Sequence, residues 1–388
     1  MRRGFSWVTI LVLSIALSGT ATYWLLRPAF SPTAAPVEVA AHAAGLSQSA
    51  APTPTPFVEV LSPRKRATDF QAGVMVLIYG NDPYFAINVR RKLDYLAALG
   101  VNSVGLVFPI FQTNGRSTDV HADPINTPSS DLMSVFIQEA HQRGFTVMMR
   151  PLLDEASLAK GGDWRGSIRP RPVDGWFEAY GDLMVTYANV AQENRAEVFD
   201  IGTELNTLES YGPQWLNVIK RIRQAYTGLL TYSSISATGY PTQFAHALDF
   251  LGIDAYYALD ATDGATTADL EKAWRPGVVQ LERVITDSGM PVVVTEVGTA
   301  SRRGSYRAPS SANLGAPLDL EAQRAYYEAT CNALRGVVGG VYWWYTSPYP
   351  PPAPLSDKDF DPTGKPAEAE LSQCFSGSQH APARGATR

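Results

Sequence analysis

Two glutamates that follow apolar, β-rich runs could perform chemistry together. Glu204 comes after residues 198–202, and Glu296 comes after residues 291–295. Cleavage of a glycosidic bond requires two carboxyl groups, one that protonates the leaving oxygen and one that attacks the sugar or activates water. A lone glutamate in such a place is more often an ion-pair partner, but two at this spacing favour a catalytic pair.

The two carboxyl roles require different surroundings. A proton donor needs a pKa raised by apolar neighbours or an anion, whereas the other carboxylate must stay ionised and needs hydrogen-bond donors. Arg150 and Tyr256 are the candidate donors, and Tyr257 stays an alternative because only one of two neighbouring strand residues points inward. Arg150 could instead be a structural ion-pair partner beneath the site, and Asp154 has the same two interpretations.

Short β-rich runs alternate with longer amphipathic stretches from about residue 70 onward. The predicted strands are 73–78, 103–108, 146–150, 198–202, 229–233, 250–255, 291–295 and 340–344. The predicted helices are 85–99, 130–143, 174–194, 213–226, 267–288, 320–335 and 366–374, with a short fifth crossover near 241–247. This alternation predicts an α/β protein, either a (β/α)₈ TIM barrel or a doubly wound open sheet.

The predicted strand ends favour the barrel over the open sheet. In a barrel, the residues at the carboxyl ends of the strands meet in one cleft. Here those ends carry arginine, glutamate and tyrosine, and the last strand ends in Trp343 and Trp344. Aromatic rings stack on the apolar faces of sugars, so one tryptophan is expected to form a platform and the other to lie in the core. The sequence leaves open which is which.

Composition excludes several classes of protein. The net charge of −5 and the absence of clustered basic residues argue against a nucleic-acid partner. The five histidines are scattered, and no phosphate-binding or dinucleotide-binding glycine motif occurs. The sequence therefore predicts no metal and no organic cofactor. The expected partner is a polysaccharide or oligosaccharide, and the chain is expected to be a monomer.

The amino-terminal residues predict export. Arg2 and Arg3 precede an apolar run over residues 5–26 that is about 33 Å long as a helix, enough to cross a bilayer. Residues 1–27 are thus a membrane anchor or, alternatively, a cleaved signal peptide. An Ala/Pro/Thr-rich disordered linker is expected over 28–66, a catalytic domain over 67–376 and a disordered tail over 377–388. The domain would be extracytoplasmic, where Cys331 and Cys374 could form a disulfide or remain two buried thiols.

Several stretches together carry a resemblance to a known family. They are DWRGSI (163–168), WFEAY (176–180), IGTEL (201–205), GIDAYY (252–257), TEVG (295–298), GVYWW (340–344) and PTGKPAE (362–368). In this order they resemble glycoside hydrolase family 113 of clan A, whose known members are β-mannanases. The resemblance covers about residues 70 to 375.

The resemblance implies a retaining glycosidase and assigns roles. Glu204 would be the acid/base and Glu296 the nucleophile, with Tyr256 hydrogen-bonded to it. A tryptophan of the last strand would form the platform under the sugar at the cleavage point. Trp164 and Arg165 would line the cleft from the loop after the third strand.

Two positions depart from the family pattern. Thr203 stands where many clan members have an asparagine that contacts the sugar, and Leu152 stands where the family often has a histidine. Thr203 and Asn206, which flank Glu204, are still expected to bind substrate. The predicted function is a retaining hydrolase of β-linked polysaccharide, β-mannan or a related hexose polymer. The predicted membrane tether and Leu152 add an alternative substrate, a polysaccharide of the cell's own envelope or an exopolysaccharide. A non-catalytic carbohydrate-binding barrel is a further alternative, which the two intact glutamates oppose.

Overall fold

The computed structural model describes residues 70–376, except 155, 237–238, 312–314 and 350. The predicted anchor (1–27), linker (28–66) and tail (377–388) lie outside the described residues. In the part that is described, no helix is both long and apolar enough to cross a bilayer.

Eight parallel strands close into a barrel, which confirms the predicted (β/α)₈ TIM-barrel fold. Each strand pairs with the next in sequence, and β1 pairs with β8. The strands are β1 (Gln71–Leu77), β2 (Ser103–Ile110), β3 (Thr146–Leu153), β4 (Val198–Thr203), β5 (Leu229–Ile235), β6 (Leu251–Asp254), β7 (Val292–Val297) and β8 (Gly340–Thr346). Their side chains are almost all buried, as expected for parallel strands covered on both faces.

Helices surround the barrel. They are α1 (Phe85–Ala98), α2 (Ser130–Gln142), α3 (Ala156–Ala159), α4 (Val173–Glu193), α5 (Gly212–Ala225), α6 (Thr267–Ser288), α7 (Leu320–Leu334) and α8 (Pro366–Ser376). The fifth crossover, between β5 and β6, contains only a 3₁₀ turn, Ala245–Ala247. Local sequence fixes helix ends: α6 starts at a capping box between Thr266 and Asp269 and stops at Gly289, whose φ is 65°.

The interior of the barrel is filled at the amino-terminal ends of the strands. Tyr342 lies there, fully buried, and its hydroxyl donates to the Gln71 side chain at 2.7 Å. Glycine is required at position 73, because a Cβ there would lie 2.3 Å from the Tyr342 ring. With this end closed by packed side chains, a site can form only at the opposite, carboxyl-terminal mouth.

A disulfide joins the last two helices, as the sequence allowed. Cys331 of α7 and Cys374 of α8 are bonded, with their Cα atoms 5.7 Å apart. The two residues are separated by 43 positions. The bond therefore ties the carboxyl-terminal helix to the helical layer on the outside of the barrel.

Removing this disulfide should weaken the fold without touching the barrel mouth. For a loop of this length, the double variant Cys331→Ala/Cys374→Ala should lose about 4 kcal/mol of unfolding free energy, because its unfolded chain is less constrained. Urea unfolding of wild type and variant, with and without a thiol reductant, measures the difference. Equal midpoints under oxidising conditions would show that the bond contributes nothing.

Candidate active site

Glu296 reaches the interior of the barrel through an irregularity in β7. The register between β6 and β7 shifts so that Asp254 pairs with Glu296. Thr295 and Glu296 are neighbours, yet the hydroxyl of Thr295 donates to Asp254 at 2.9 Å and Glu296 contacts Arg150 in the same interior. A bulge is the device by which a strand turns two consecutive side chains to one side. Glu296 therefore lies within β7, whereas the sequence prediction placed it after the strand.

Both carboxylate oxygens of Glu296 accept hydrogen bonds. Arg150 Nη2 donates to Oε1 at 2.6 Å, and the Tyr256 hydroxyl donates to Oε2 at 2.8 Å. The side chain is 4% exposed. Tyr257, the alternative to Tyr256, packs instead against Trp274 on the outer side. Glu296 is thus held in one orientation by a cation and a phenol.

Arg150 lies beneath the mouth, among carboxyl groups of the barrel interior. The strand β3 continues to Leu153, so Arg150 is inside the strand and 0% exposed. It contacts Asp254 at 2.9 Å, Asp200 at 3.5 Å and the carbonyl of Thr295 at 3.2 Å, besides Glu296. Of the two interpretations that the sequence left open for Arg150, its complete burial among these carboxyl groups favours a structural ion-pair partner beneath the site.

The group around Arg150 has more acids than bases. Burial opposes the charge of Arg150, but Asp254, Glu296 and Asp200 together raise its pKa. Burial raises the pKa of Asp200 to about 6, although Arg150 acts in the other direction. Burial and the Asp254 carboxylate raise the pKa of Glu296 above its ordinary value, against the opposing effect of Arg150. The buried carboxyl groups of Asp200 and Glu296 therefore lose their protons at a higher pH than exposed carboxyl groups do.

Glu204 follows β4 directly and has an unusual backbone. Its φ is 54°, in the left-handed region that residues with a side chain seldom adopt. Its N–H donates to the carbonyl of Ser233 on β5 at 2.8 Å, which holds the turn against the barrel. Strained residues of this kind are concentrated at functional sites.

Arg165 contacts the carboxylate of Glu204 from the loop after β3. Its Nη1 donates to Glu204 Oε2 at 3.0 Å, and its Nε donates to the carbonyl of Leu153 at 3.1 Å. Trp164 is half-buried beside it. A Cβ at Gly166 would lie 2.3 Å from the Trp164 ring and 2.6 Å from the Asn206 side chain, so both pack closely around this glycine. The loop thus brings its predicted site residues to Glu204.

Thr203, immediately before Glu204, is buried, and its hydroxyl oxygen has no hydrogen-bond partner in the described structure. Asn206 is half-buried two residues after Glu204. Leu152, which departs from the family pattern, is buried among apolar side chains of the barrel interior. It brings no polar group to the mouth.

The two tryptophans of β8 face opposite sides of the strand. Trp343 is 1% exposed and stacks on Tyr327 of α7 with ring centroids 4.0 Å apart. Trp344 is half-buried and packs against the cluster inside the barrel. Of the two tryptophans between which the sequence left the choice open, Trp343 therefore lies between the barrel and the helices. Trp344 is the tryptophan at the mouth.

The sequence did not identify Tyr79 or the two aspartates of the barrel interior. The Tyr79 hydroxyl donates to Asp154 Oδ2 at 2.6 Å, so Asp154 is paired with a tyrosine that follows β1. Asp200 and Asp254 are buried within apolar strands. Acidic residues inside such runs were the available signal for the aspartates, and a polar aromatic residue just past a strand was the signal for Tyr79.

In the described ranges, no group of three or more histidine, cysteine, aspartate or glutamate side chains has an arrangement that could hold a metal ion. The mouth carries the carboxyl groups of Glu204 and Glu296. Glu204 and Glu296 come from β4 and β7, on different sides of the barrel. One is held by Arg165 and the other by Arg150 and Tyr256.

Comparison with known proteins gives a family. The family model of Glycoside Hydrolase Family 113 matches residues 80–365. A search of curated proteins finds no match.

Solved structures share the fold. The chain is similar to the GH113 β-mannanase AaManA from Alicyclobacillus acidocaldarius in complex with ManMIm, with 27% identity and a TM-score of 0.72. That alignment covers 80% of this chain and 98% of the other. Two structures of a GH113 β-1,4-mannanase, one of them a complex, have 22% and 23% identity and TM-scores of 0.71 and 0.70. They each align with 79% of this chain over 99% of their own length.

Proposed function

Because the chain belongs to glycoside hydrolase family 113, we propose that it hydrolyses β-mannan or a related β-linked hexose polymer with retention of configuration. The observation that carries this proposal is the fixed Glu296 carboxylate, bound by Arg150 and Tyr256 in the same mouth as Glu204. The substrate class is supported by the β-mannanases to which the chain is similar.

In the proposed mechanism Glu296 is the nucleophile. One of its oxygens attacks the anomeric carbon while the bond from that carbon to the leaving oxygen breaks. Arg150 and Tyr256 fix the direction of the carboxylate, and Arg150 opposes the rise of its pKa that burial and Asp254 cause. Such prior orientation is a large part of what an enzyme contributes to a displacement.

Glu204 is the proposed acid/base. It gives its proton to the leaving oxygen in the first step, and it then takes a proton from the water that releases the sugar from Glu296. The turn at Glu204 and the contact with Arg165 position the carboxyl for both transfers.

The remaining residues of the mouth are proposed to bind sugar. Trp344 would form the apolar platform under the ring at the cleavage point. The Thr203 hydroxyl is buried and is not counted among these residues. Trp164 and Asn206 would form one wall, near Glu204.

The rate should fall at both ends of a pH profile. Since Glu296 must be ionised to attack and its pKa is raised, we expect kcat/KM to fall on the acidic side at a pH above the ordinary value for glutamate. The basic limb reports loss of the proton from Glu204. In Asp254→Asn the acidic limb should move to lower pH, because the Asp254 carboxylate raises the pKa of Glu296. An unmoved acidic limb in that variant would show that a different group controls it.

Release of soluble sugars from a panel of polymers tests the substrate. The full chain would be incubated with β-mannan, glucomannan, β-glucan, xylan and bacterial exopolysaccharides, beside Glu204→Gln. Mannooligosaccharides that form with wild type only would support the proposal. Activity confined to an exopolysaccharide would be consistent with the proposed mechanism but would favour the alternative substrate. The apolar Leu152, which departs from the family pattern, is the residue that suggested this alternative. No cleavage by the wild type, with binding retained, would favour a carbohydrate-binding protein.

We also propose that the enzyme acts outside the cytoplasm. The Cys331–Cys374 disulfide supports this location, because such bonds persist mainly in oxidising compartments. Alkylation of free thiols in protein taken directly from cells would test it. Two reactive thiols before reduction would contradict an extracytoplasmic location.

A further inference from the structure

The main chain after Glu204 is held by a buried tyrosine that is not among the predicted site residues. The N–H of Leu205 donates to the Tyr232 hydroxyl oxygen at 2.9 Å. The same hydroxyl donates its proton to Glu209 Oε1 at 3.1 Å. One phenol therefore connects the residue after the catalytic glutamate with a second glutamate further along the loop.

We propose that Tyr232, supported by Glu209, is a positioning residue for Glu204. The inference rests on the proposed function, in which Glu204 is the acid/base. Tyr232 does not touch substrate or the Glu204 carboxyl; it acts through the peptide that follows Glu204. Its role is to keep Glu204 in the backbone conformation from which the carboxyl reaches the leaving oxygen.

The tyrosine itself is rigidly placed. It is fully buried on β5, and its ring lies 5.3 Å from the rings of both Trp215 and Phe244. A Cβ at Gly202 would come within 2.9 Å of the Tyr232 ring, so a larger residue in β4 would displace it. Because the ring has no room to move, its hydroxyl is a fixed point against which the loop can be held.

The backbone of Glu204 needs such a fixed point. A φ of 54° is unfavourable for a residue with a side chain, and it persists only where the surroundings over-determine it. Two hydrogen bonds flank the strained residue, from the Glu204 N–H to Ser233 and from the Leu205 N–H to Tyr232. Loss of the second would let the peptide rotate toward an ordinary conformation and carry the carboxyl away.

Glu209 orients the hydroxyl. With its proton directed to Glu209, the phenol oxygen presents a lone pair to the Leu205 N–H. Glu209 is half-buried, and burial raises its pKa to about 7 although the hydrogen bond from Tyr232 opposes the rise. Both protonation states leave a carboxyl oxygen that can accept from the phenol.

Tyr232→Phe removes one hydroxyl and nothing else, and Tyr226→Phe is its matched control. Tyr226 is also buried, and its hydroxyl donates to the main-chain carbonyl of Ala196 at 2.7 Å, before the start of β4. Each variant removes one buried phenol hydroxyl at an end of β4: Tyr226→Phe deletes the single bond to Ala196, and Tyr232→Phe deletes the bonds to Leu205 and Glu209. Only one deletion lies beside Glu204.

The readout is kcat/KM on two substrates that differ in their need for a proton. β-Mannan has a poor leaving group and requires the acid, whereas a 2,4-dinitrophenyl β-mannooligoside has a leaving group that departs unprotonated. We expect Tyr232→Phe to lose about 10- to 100-fold on β-mannan, because misplacing a catalytic group by about 1 Å has effects of that size. On the dinitrophenyl substrate we expect less than about 3-fold loss, because general acid catalysis contributes little there.

Glu204→Gln in the same assay separates the possible failures. Glu204→Gln should lose more kcat/KM on β-mannan than Tyr232→Phe does, again with little loss on the dinitrophenyl substrate. Glu209→Ala should show the same selectivity with a smaller loss than Tyr232→Phe. If Glu204→Gln is selective but Tyr232→Phe and Glu209→Ala behave like Tyr226→Phe, the positioning role is overturned while the proposed function stands. If Glu204→Gln is not selective, Glu204 is not the acid and the proposed function fails. Should Tyr232→Phe not fold, which circular dichroism would show, the selectivity of Glu209→Ala decides.

Discussion

Glu296→Gln is expected to lower the rate of β-mannan hydrolysis by about 10⁴-fold or more, the scale on which loss of an enzyme nucleophile acts. The amide keeps the size of the side chain and can still accept from Tyr256, but it cannot form the covalent intermediate. Initial rates of reducing-sugar release measure the loss. Glu282→Gln, at an exposed position on α6, is the matched control and should keep full activity.

Chemical rescue distinguishes a lost nucleophile from a disturbed site. In Glu296→Ala, azide can occupy the vacated space and attack the anomeric carbon of a dinitrophenyl glycoside, so an α-linked glycosyl azide should accumulate. A Glu296→Gln variant that keeps wild-type turnover would remove Glu296 from the mechanism.

Arg150→Met should be the most destabilising single substitution in the barrel interior. It leaves Asp200, Asp254 and Glu296 buried together without the cation that contacts all three. Removing one partner from a buried ion pair usually costs about 3–5 kcal/mol. Activity should be lost as well, because Glu296 would keep its proton.

The destabilisation by Arg150→Met should grow with pH. Without the arginine, the three carboxyls hold their protons to higher pH in the folded state than in the unfolded chain. Groups whose pKa is raised by folding stabilise at low pH, and this contribution disappears as pH rises through the folded value. Urea unfolding at pH 5 and pH 8 measures the effect. Arg307→Met, which breaks an exposed pair with Asp263, should change stability by at most about 1 kcal/mol at either pH. A pH-independent loss in Arg150→Met would contradict the electrostatic explanation.

The fold was predictable because its signals are local. Runs of β-branched residues, helix caps and the short fifth crossover are all visible in neighbouring residues, and the barrel and the family resemblance are confirmed. The meeting of Glu204 and Glu296 in one mouth was predictable too, because parallel strands of a barrel bring their carboxyl ends together. Their catalytic roles remain predictions.

The alternatives that the sequence left open for two residues share a physical cause. The sequence could not decide whether Arg150 and Trp343 reach the mouth, because the side of the strand that a residue faces decides its contacts. The end of β3 lies three residues beyond Arg150, and Trp343 points outward to Tyr327. A strand end cannot be located to one residue from propensities alone, because tertiary packing sets it.

Other contacts had no local signal at all. The pairs Tyr79–Asp154 and Tyr232–Glu209 join residues far apart in sequence, and the bulge that turns Glu296 inward depends on register. The left-handed turn at Glu204 is likewise invisible, because glutamate has no preference for it. Such features appear only when the strands are placed side by side.

The anomer that forms first during hydrolysis tests the central claim most directly, because two glutamates acting by double displacement must retain configuration. Proton NMR of β-mannan mixed with the enzyme would record the anomeric signals before mutarotation equalises them. We predict that the β-anomer of the new reducing end appears first and the α-anomer follows. An α-anomer that appears first would mean direct displacement by water, and Glu296 would then not be a nucleophile.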